Sequence, residues 1–231
     1  SHRRRRSSSR GTLPFTACNR TNFGRRSLLQ SHSGVAVGFM AIDLNYRRQQ
    51  VRTLTNQIGC YVLCDLDGVP LYVGQSRDGI RSRVNRHLTS ARSDIIANRQ
   101  VDVWEIAFVW AYPVTDPADI KPLEDALFHS FHPKSALMNG RIPATPLQMS
   151  DVPEPAQIVQ VMADNEIADK RDPALRLPRQ AEHYSQIVGH FLAVKNSREI
   201  AGAIQAHFQR LQRYHRELLK LAADIEGDGT E

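Results

Sequence analysis

Two tyrosines, an arginine and a histidine stand close together between Gly59 and His87, and their types suit proton transfer beside a bound oxyanion. Phenol and imidazole exchange protons, and guanidinium offers a planar, permanently charged fork to phosphate or carboxylate oxygens. Asp67-Gly68 is a hairpin-turn dipeptide between two β-rich apolar runs, so residues 59–66 and 69–74 are predicted to pair as antiparallel strands. With a two-residue turn, Leu66 faces Val69, Leu63 faces Tyr72 and Tyr61 faces Gly74. Strand alternation then puts Tyr61 and Tyr72 on one face as diagonal neighbours, roughly 7–8 Å apart. Cys60, Val62, Cys64, Leu71 and Val73 take the other face as core, while the glycine opposite Tyr61 leaves room for something to dock. Arg83 and His87, four apart, share one stripe of the helix that follows. Glu124 is expected in the first turn of a later helix, and Asn139 precedes Gly140.

Taken singly, each of these has a bland explanation. A strand tyrosine is ordinary, Arg83 and His87 make a solvated helix face, Glu124 favours a helix dipole, and Asn139 suits a turn. Taken in order, they resemble the GIY-YIG nuclease family. Gly59-Cys60-Tyr61 stands for Gly-Ile-Tyr and Tyr72-Val73-Gly74 for Tyr-Ile-Gly, followed by Arg83 and His87 in an Arg-x-x-x-His form, then Glu124 and Asn139. The resemblance spans about residues 57–141. One extra residue near Asp78-Gly79 makes Arg83 the better match without excluding Arg81.

The resemblance implies a metal-dependent endonuclease that hydrolyses DNA phosphodiester bonds. That chemistry needs an activated water, charge stabilisation at phosphorus and help for the leaving oxygen. A free tyrosine with a pKa near 10 is ionised only about once in a thousand at neutral pH, so a tyrosine base needs a neighbour that takes its proton. The expected roles are Tyr61 as base, Tyr72 positioning water or phosphate, His87 and Arg83 supporting the phenol, and Arg83 binding phosphate oxygens. Glu124 is the expected ligand of Mg2+ or Mn2+, since a nucleic-acid substrate and water can complete the shell around one carboxylate. Asn139 is expected to hold the pocket or touch phosphate. Gly74, Gln75, Arg77, Arg81 and Arg86 are the expected nucleic-acid contacts. A non-catalytic nucleic-acid-binding module that kept the fold is the alternative.

Composition sets wider bounds. The net charge of +6 misleads, because eight arginines and no acid lie in residues 1–40. Residues 41–141 carry twelve basic and eleven acidic side chains, and residues 142–231 carry ten and thirteen. The better sign of a phosphate partner is local: Arg77, Arg81, Arg83, Arg86 and Arg92 against Asp78 alone. The three cysteines, Cys18, Cys60 and Cys64, form neither a disulfide framework nor a zinc spacing, which makes a reducing, cytoplasmic setting the default. No apolar run reaches the ~18 residues of a membrane helix.

The elements that must position these residues follow from periodicity. Residues 1–39 read as a disordered basic arm, most simply sequence upstream of a start at Met40; a phosphate-contacting arm and a transit peptide are the other readings. Residues 40–141 form the nuclease-like domain. Its lead-in contains Tyr46-Arg47-Arg48, then come the hairpin, a helix over 80–88, a short helix near 94–98, a strand over 103–112 and a helix beginning at Pro122. Four prolines make 142–155 a linker. A helical region over 156–225 follows, with helices near 156–169 and 181–195 and a last one capped by Asn196 and Glu199, before a disordered tail at 226–231. The stripe Ile200, Ile204, Phe208, Leu211, Tyr214 (or His215), Leu218 and Leu221 suits intramolecular packing or a seam in a possible homodimer, with His207 and His215 at the surface. The expected fold is α+β: a small three-stranded antiparallel sheet flanked by helices, followed by a helical C-terminal region.

Overall fold

The computed structural model describes residues 42–90, 93–146, 151–194 and 196–227, without the side chains of 221–227. The basic arm, Cys18, Met40, Arg92, part of the proline-rich stretch and the extreme tail lie outside these, as does the side chain of Leu221.

Helix α1, Leu44–Thr53, is capped by the Asp43 carboxylate, which accepts from the N–H groups of Asn45 and Tyr46. It buries Arg47, whose guanidinium donates to the carbonyls of Val161, Val103 and Ile106 at 3.4, 3.1 and 3.0 Å. Burial lowers the Arg47 pKa to about 10, with the charges of Glu166 and Asp102 opposing. This polar lead-in is therefore a strut bolted to the sheet.

Strands β1 (Gly59–Cys64) and β2 (Pro70–Ser76) pair antiparallel, with Tyr61 opposite Gly74 and Leu63 opposite Tyr72 as the alternation predicts. The turn differs from the expected two-residue form. Asp65 N–H donates to the Val69 carbonyl, and the Asp65 carboxylate accepts from the N–H groups of Asp67 and Val69. Gly68 closes the loop at φ +75°. The register slips by one between Leu63 and Cys64, so Cys64 faces Pro70, and Leu71 packs with Tyr61 and Leu63 rather than with Cys60 and Val62.

Helix α2, Ile80–Thr89, lays Ile80, Val84 and Leu88 on the tyrosine face of the sheet. Helix α3, Asp94–Ala97, follows. The predicted third strand is shorter than its alternation implies. Val103–Glu105 form a 3-10 turn held by the Asp102 carboxylate on Trp104 N–H, and β3 runs only over Phe108–Pro113. Helix α4, Ile120–Phe131, begins two residues before Pro122, which puts Glu124 in the second turn instead of the first. It covers the opposite face of the sheet through Ile120, Leu127 and Phe128.

The sheet has four antiparallel strands in the order β2-β1-β3-β4, not three. The additional strand, β4 (Gln157–Gln160), pairs with β3 where a helix is predicted. Helix α5 starts only at Asp164 and ends at Arg171. Helix α6, Pro173–Ala193, continues through Pro178, and α7, Arg198–Gly227, is capped by Ser197 rather than Asn196. The buried side of α7 is rotated from the apolar stripe: Ala203, His207, Arg210 and Tyr214 point in, while Phe208 is exposed. Asp65, fully buried at the hairpin turn, is the cause, since it accepts from Arg210 at 2.8 Å and Arg213 at 3.0 Å. Arg176 of α6 joins Asp67 and buried Glu105 in the same network. A buried acid without these partners would be costly, so the network pins both C-terminal helices to the sheet.

Candidate active site

Edge strand β2 organises the site. Among the described residues its outer side has no strand neighbour, and Asn139 takes that place: its amide nitrogen donates to the Val73 carbonyl at 2.6 Å and its oxygen accepts from Val73 N–H at 3.0 Å. Met138 N–H donates to the Leu71 carbonyl at 2.8 Å, so the 138–139 segment runs along the edge like a fragment of strand. Beside it lies a cavity of about 560 Å³ lined by Tyr72, Gln75, Asp94, Lys121, Glu124 and Asn139, among others.

Behind Tyr72 stands a closed set of rings. The Tyr61 hydroxyl is 2.7 Å from His87 Nε2, and His87 Nδ1 is 2.6 Å from Ser93 Oγ. Both tautomers satisfy these bonds, since each hydroxyl can donate or accept; in the one that a tyrosine base requires, Nε2 accepts from the phenol and Nδ1 donates to Ser93. The three rings of Tyr61, Tyr72 and His87 lie 5.8–6.4 Å apart between centroids. Gly74 is what admits Tyr61. A Cβ there would sit 2.4 Å from Tyr61 Cζ and hydroxyl and 2.8 Å from Tyr72 Cε1.

The tyrosine face is therefore core and not an open docking surface. Tyr61 and His87 have no exposure; Tyr72 is half-buried and is the phenol that reaches the cavity. Burial pushes the Tyr61 phenol well up, Tyr72 adds to this, and the nearby Arg83 charge opposes it. Burial likewise raises Tyr72, with Asp94 adding and Arg83 opposing. Burial, then the Arg83 charge, pushes His87 down to about 4 against the pull of Asp94, so the imidazole is neutral at pH 7.

Arg83 sits at the rim, its side chain 29 % exposed and Nη2 3.5 Å from Asp94 Oδ2. Glu124 Oε2 accepts from Gln75 Nε2 at 3.1 Å and lies 3.9 Å from Lys121 Nζ. Its other oxygen makes no hydrogen bond among the described residues. Burial raises the Glu124 carboxyl against the Lys121 charge, so a cation at this carboxylate would offset an existing desolvation cost. Among the described residues no three His, Cys, Asp or Glu side chains converge as metal ligands. The donor set fits a hard cation held by one carboxylate, with water and substrate oxygens completing its shell.

Of the predicted residues, Tyr72, Gln75, Glu124 and Asn139 meet at the cavity, Arg83 stands at its margin through Asp94, and Tyr61 and His87 form the layer behind Tyr72. Gly74 is packed under Tyr61. Arg77 and Arg86 are exposed, and Arg81 lines a separate groove with Arg48 and Arg52. That separation favours Arg83 over Arg81 beside the phenols. Ser93, Asp94 and Lys121 were not among the predicted site residues. Lys121 had a signal, since it precedes Glu124 by one helical turn; Ser93 had none, because it orients His87 from beyond the end of α2.

No curated protein matches the chain. The family model described as the GIY-YIG catalytic domain matches residues 57–136, from the approach to β1 to just past α4, and Asn139 lies three residues beyond it. That segment, which holds both tyrosines, Arg83, His87 and Glu124, is what the chain shares with the GIY-YIG catalytic domain.

Proposed function

We propose that the protein is a metal-dependent endonuclease that hydrolyses DNA at the β2-edge cavity. The observation that carries this reading is the convergence of Tyr72, Glu124 and Asn139 on one cavity, backed by the Tyr61–His87–Ser93 chain. In the reaction, water oxygen bonds to phosphorus, the bond from phosphorus to the leaving oxygen breaks, and the water proton passes to a phenol that releases its own, one proton in all going on to the leaving oxygen.

Tyr72 is the phenol that meets the water, and Tyr61, hydrogen-bonded to neutral His87 Nε2, is the proposed base of the layer behind it. With Ser93 accepting from Nδ1, Nε2 remains an acceptor. Arg83, which hydrogen-bonds the Tyr61 side chain and pairs with exposed Asp94, would offer its guanidinium to the phosphate oxygens from the rim. Glu124 would hold Mg2+ or Mn2+, which when bound neutralises charge on the phosphate and leaving oxygen. Gln75 keeps the carboxylate aimed, and Asn139 fixes Val73 between Tyr72 and Gly74.

Incubation of purified protein with supercoiled and branched DNA in Mg2+ or Mn2+ tests the reading. Nicked or linear products with wild type, lost with EDTA and with Glu124→Ala, are expected. Intact substrates throughout would leave DNA binding without cleavage as the function.

A further inference from the structure

The structure holds a second basic site, away from the cavity where cleavage is proposed, that joins Arg81 to two arginines of α1. It is a groove of about 310 Å³ between α1 and α2, lined by Arg48, Arg52, Arg81, Ser82 and Asn85 over a floor of Val51. The groove is built rather than incidental. Between the helices, Ile80 N–H donates to the Gln57 carbonyl, Arg81 N–H to Thr55, and Asn56 Oδ1 accepts from both Ser82 N–H and hydroxyl. No acidic side chain lines it among the described residues.

The three arginines contrast with those that pin the C-terminal helices to the sheet. Arg171, Arg176, Arg179, Arg210 and Arg213 are all tied to carboxylates, whereas Arg48, Arg52 and Arg81 form no ion pair among the described residues. Arg81 Nε is shielded from solvent and has no partner among them. Uncompensated guanidiniums in a preformed groove, with the Asn85 amide between them, are the chemistry that binds successive phosphates of a polyanion.

Helix geometry relates the groove to the active site. At about 100° per residue, Arg83 lies about 160° and His87 about 120° from Arg81 around α2, the core stripe takes the arc between His87 and Arg81, and exposed Arg86 takes the arc between Arg81 and Arg83. A strand leaving Arg83 over the outer face of α2 meets Arg86 and then the groove, within roughly the 10–12 Å diameter of a helix. Arg48 and Arg52 precede the segment that matches the family, so this half of the surface belongs to the chain's own α1.

We propose that the α1–α2 groove binds the phosphodiester backbone of the DNA on the far side of α2 from the cleavage site. The proposal rests on the nuclease reading for the identity of its ligand. Binding of a 30-base-pair duplex, followed by fluorescence anisotropy in EDTA across a salt series, tests it without cleavage. Arg48→Gln/Arg52→Gln is expected to weaken binding at least about tenfold and to flatten the plot of log affinity against log salt by about 0.9 for each phosphate no longer neutralised. Arg48→Lys/Arg52→Lys is expected to restore most of the slope. Asn85→Glu, which leaves the arginines in place, is expected to weaken binding as well. Wild-type affinity and slope in Arg48→Gln/Arg52→Gln, or loss confined to an RNA duplex, would overturn it. A wild type that binds DNA through this groove yet never cuts would overturn the nuclease reading alone.

Discussion

Gly74→Ala is the sharpest structural perturbation at the site. The added methyl would lie 2.4 Å from Tyr61 Cζ and hydroxyl and 2.8 Å from Tyr72 Cε1, where ordinary carbon contacts are about 3.5 Å. Neither ring is a flexible chain end, and Tyr61 is fully buried, so its ring must retreat by roughly 1 Å. That movement breaks the 2.7 Å bond to His87. Overpacking costs about 1–3 kcal/mol and the orphaned hydroxyl and imidazole about as much again, together roughly 2–6 kcal/mol. For a domain of this size each kcal/mol lowers Tm by about 2–4 °C, which gives a fall of roughly 5–20 °C. Gly68→Ala is the control: nothing lies within 4 Å of its Cβ, and only the φ of +75° opposes it, at about 1–2 kcal/mol. Thermal unfolding by circular dichroism compares the two. A Gly74→Ala melt within about 1 °C of wild type, or above that of Gly68→Ala, refutes the packing argument.

Three further outcomes follow from the same geometry. His87 has a folded pKa of about 4 against 6.5 unfolded, so the stability tied to its neutral form is complete above pH 6.5 and lost as pH falls towards 4. Urea titrations at pH 7.5 and pH 5 should show His87→Gln losing less on acidification than wild type, by on the order of 2 kcal/mol; equal losses would contradict this. Asn139→Asp puts a carboxylate oxygen against the Val73 carbonyl in place of the donor now 2.6 Å away, and should destabilise by about 1–3 kcal/mol in the same titration. Burial, aided by Glu124 and Asp125, pushes the Cys60 thiol up to about 12, and Cys64 is buried too. Iodoacetamide should label neither in the native protein, as read by peptide mass spectrometry, and both after unfolding.

The hairpin and both tyrosine positions were legible because strand alternation and a turn dipeptide determine them locally. The bulge was not, because the Asp65 carboxylate, rather than Asp67-Gly68, sets the turn. Strand β4 escaped because Gln157–Gln160 has only two apolar residues, and its partner β3 is remote in sequence. Helix α7 misled most. Its apolar stripe is real, but Arg210 and Tyr214 are pulled inward by Asp65 and Glu105, residues more than a hundred positions earlier. At the site, residue identity was readable and depth was not. Tyr61 and Tyr72 alternate alike, yet only tertiary packing decides that one is sealed and the other meets the cavity.

Single-turnover cleavage of an end-labelled DNA duplex by wild type, Arg83→Ala, Glu124→Ala and the double variant tests the central claim most directly. If both side chains act on one phosphate at the β2 edge, each single change lowers the rate by at least about 10², and the double variant falls short of the product of the two losses. Folded single variants that cut at the wild-type rate would contradict it.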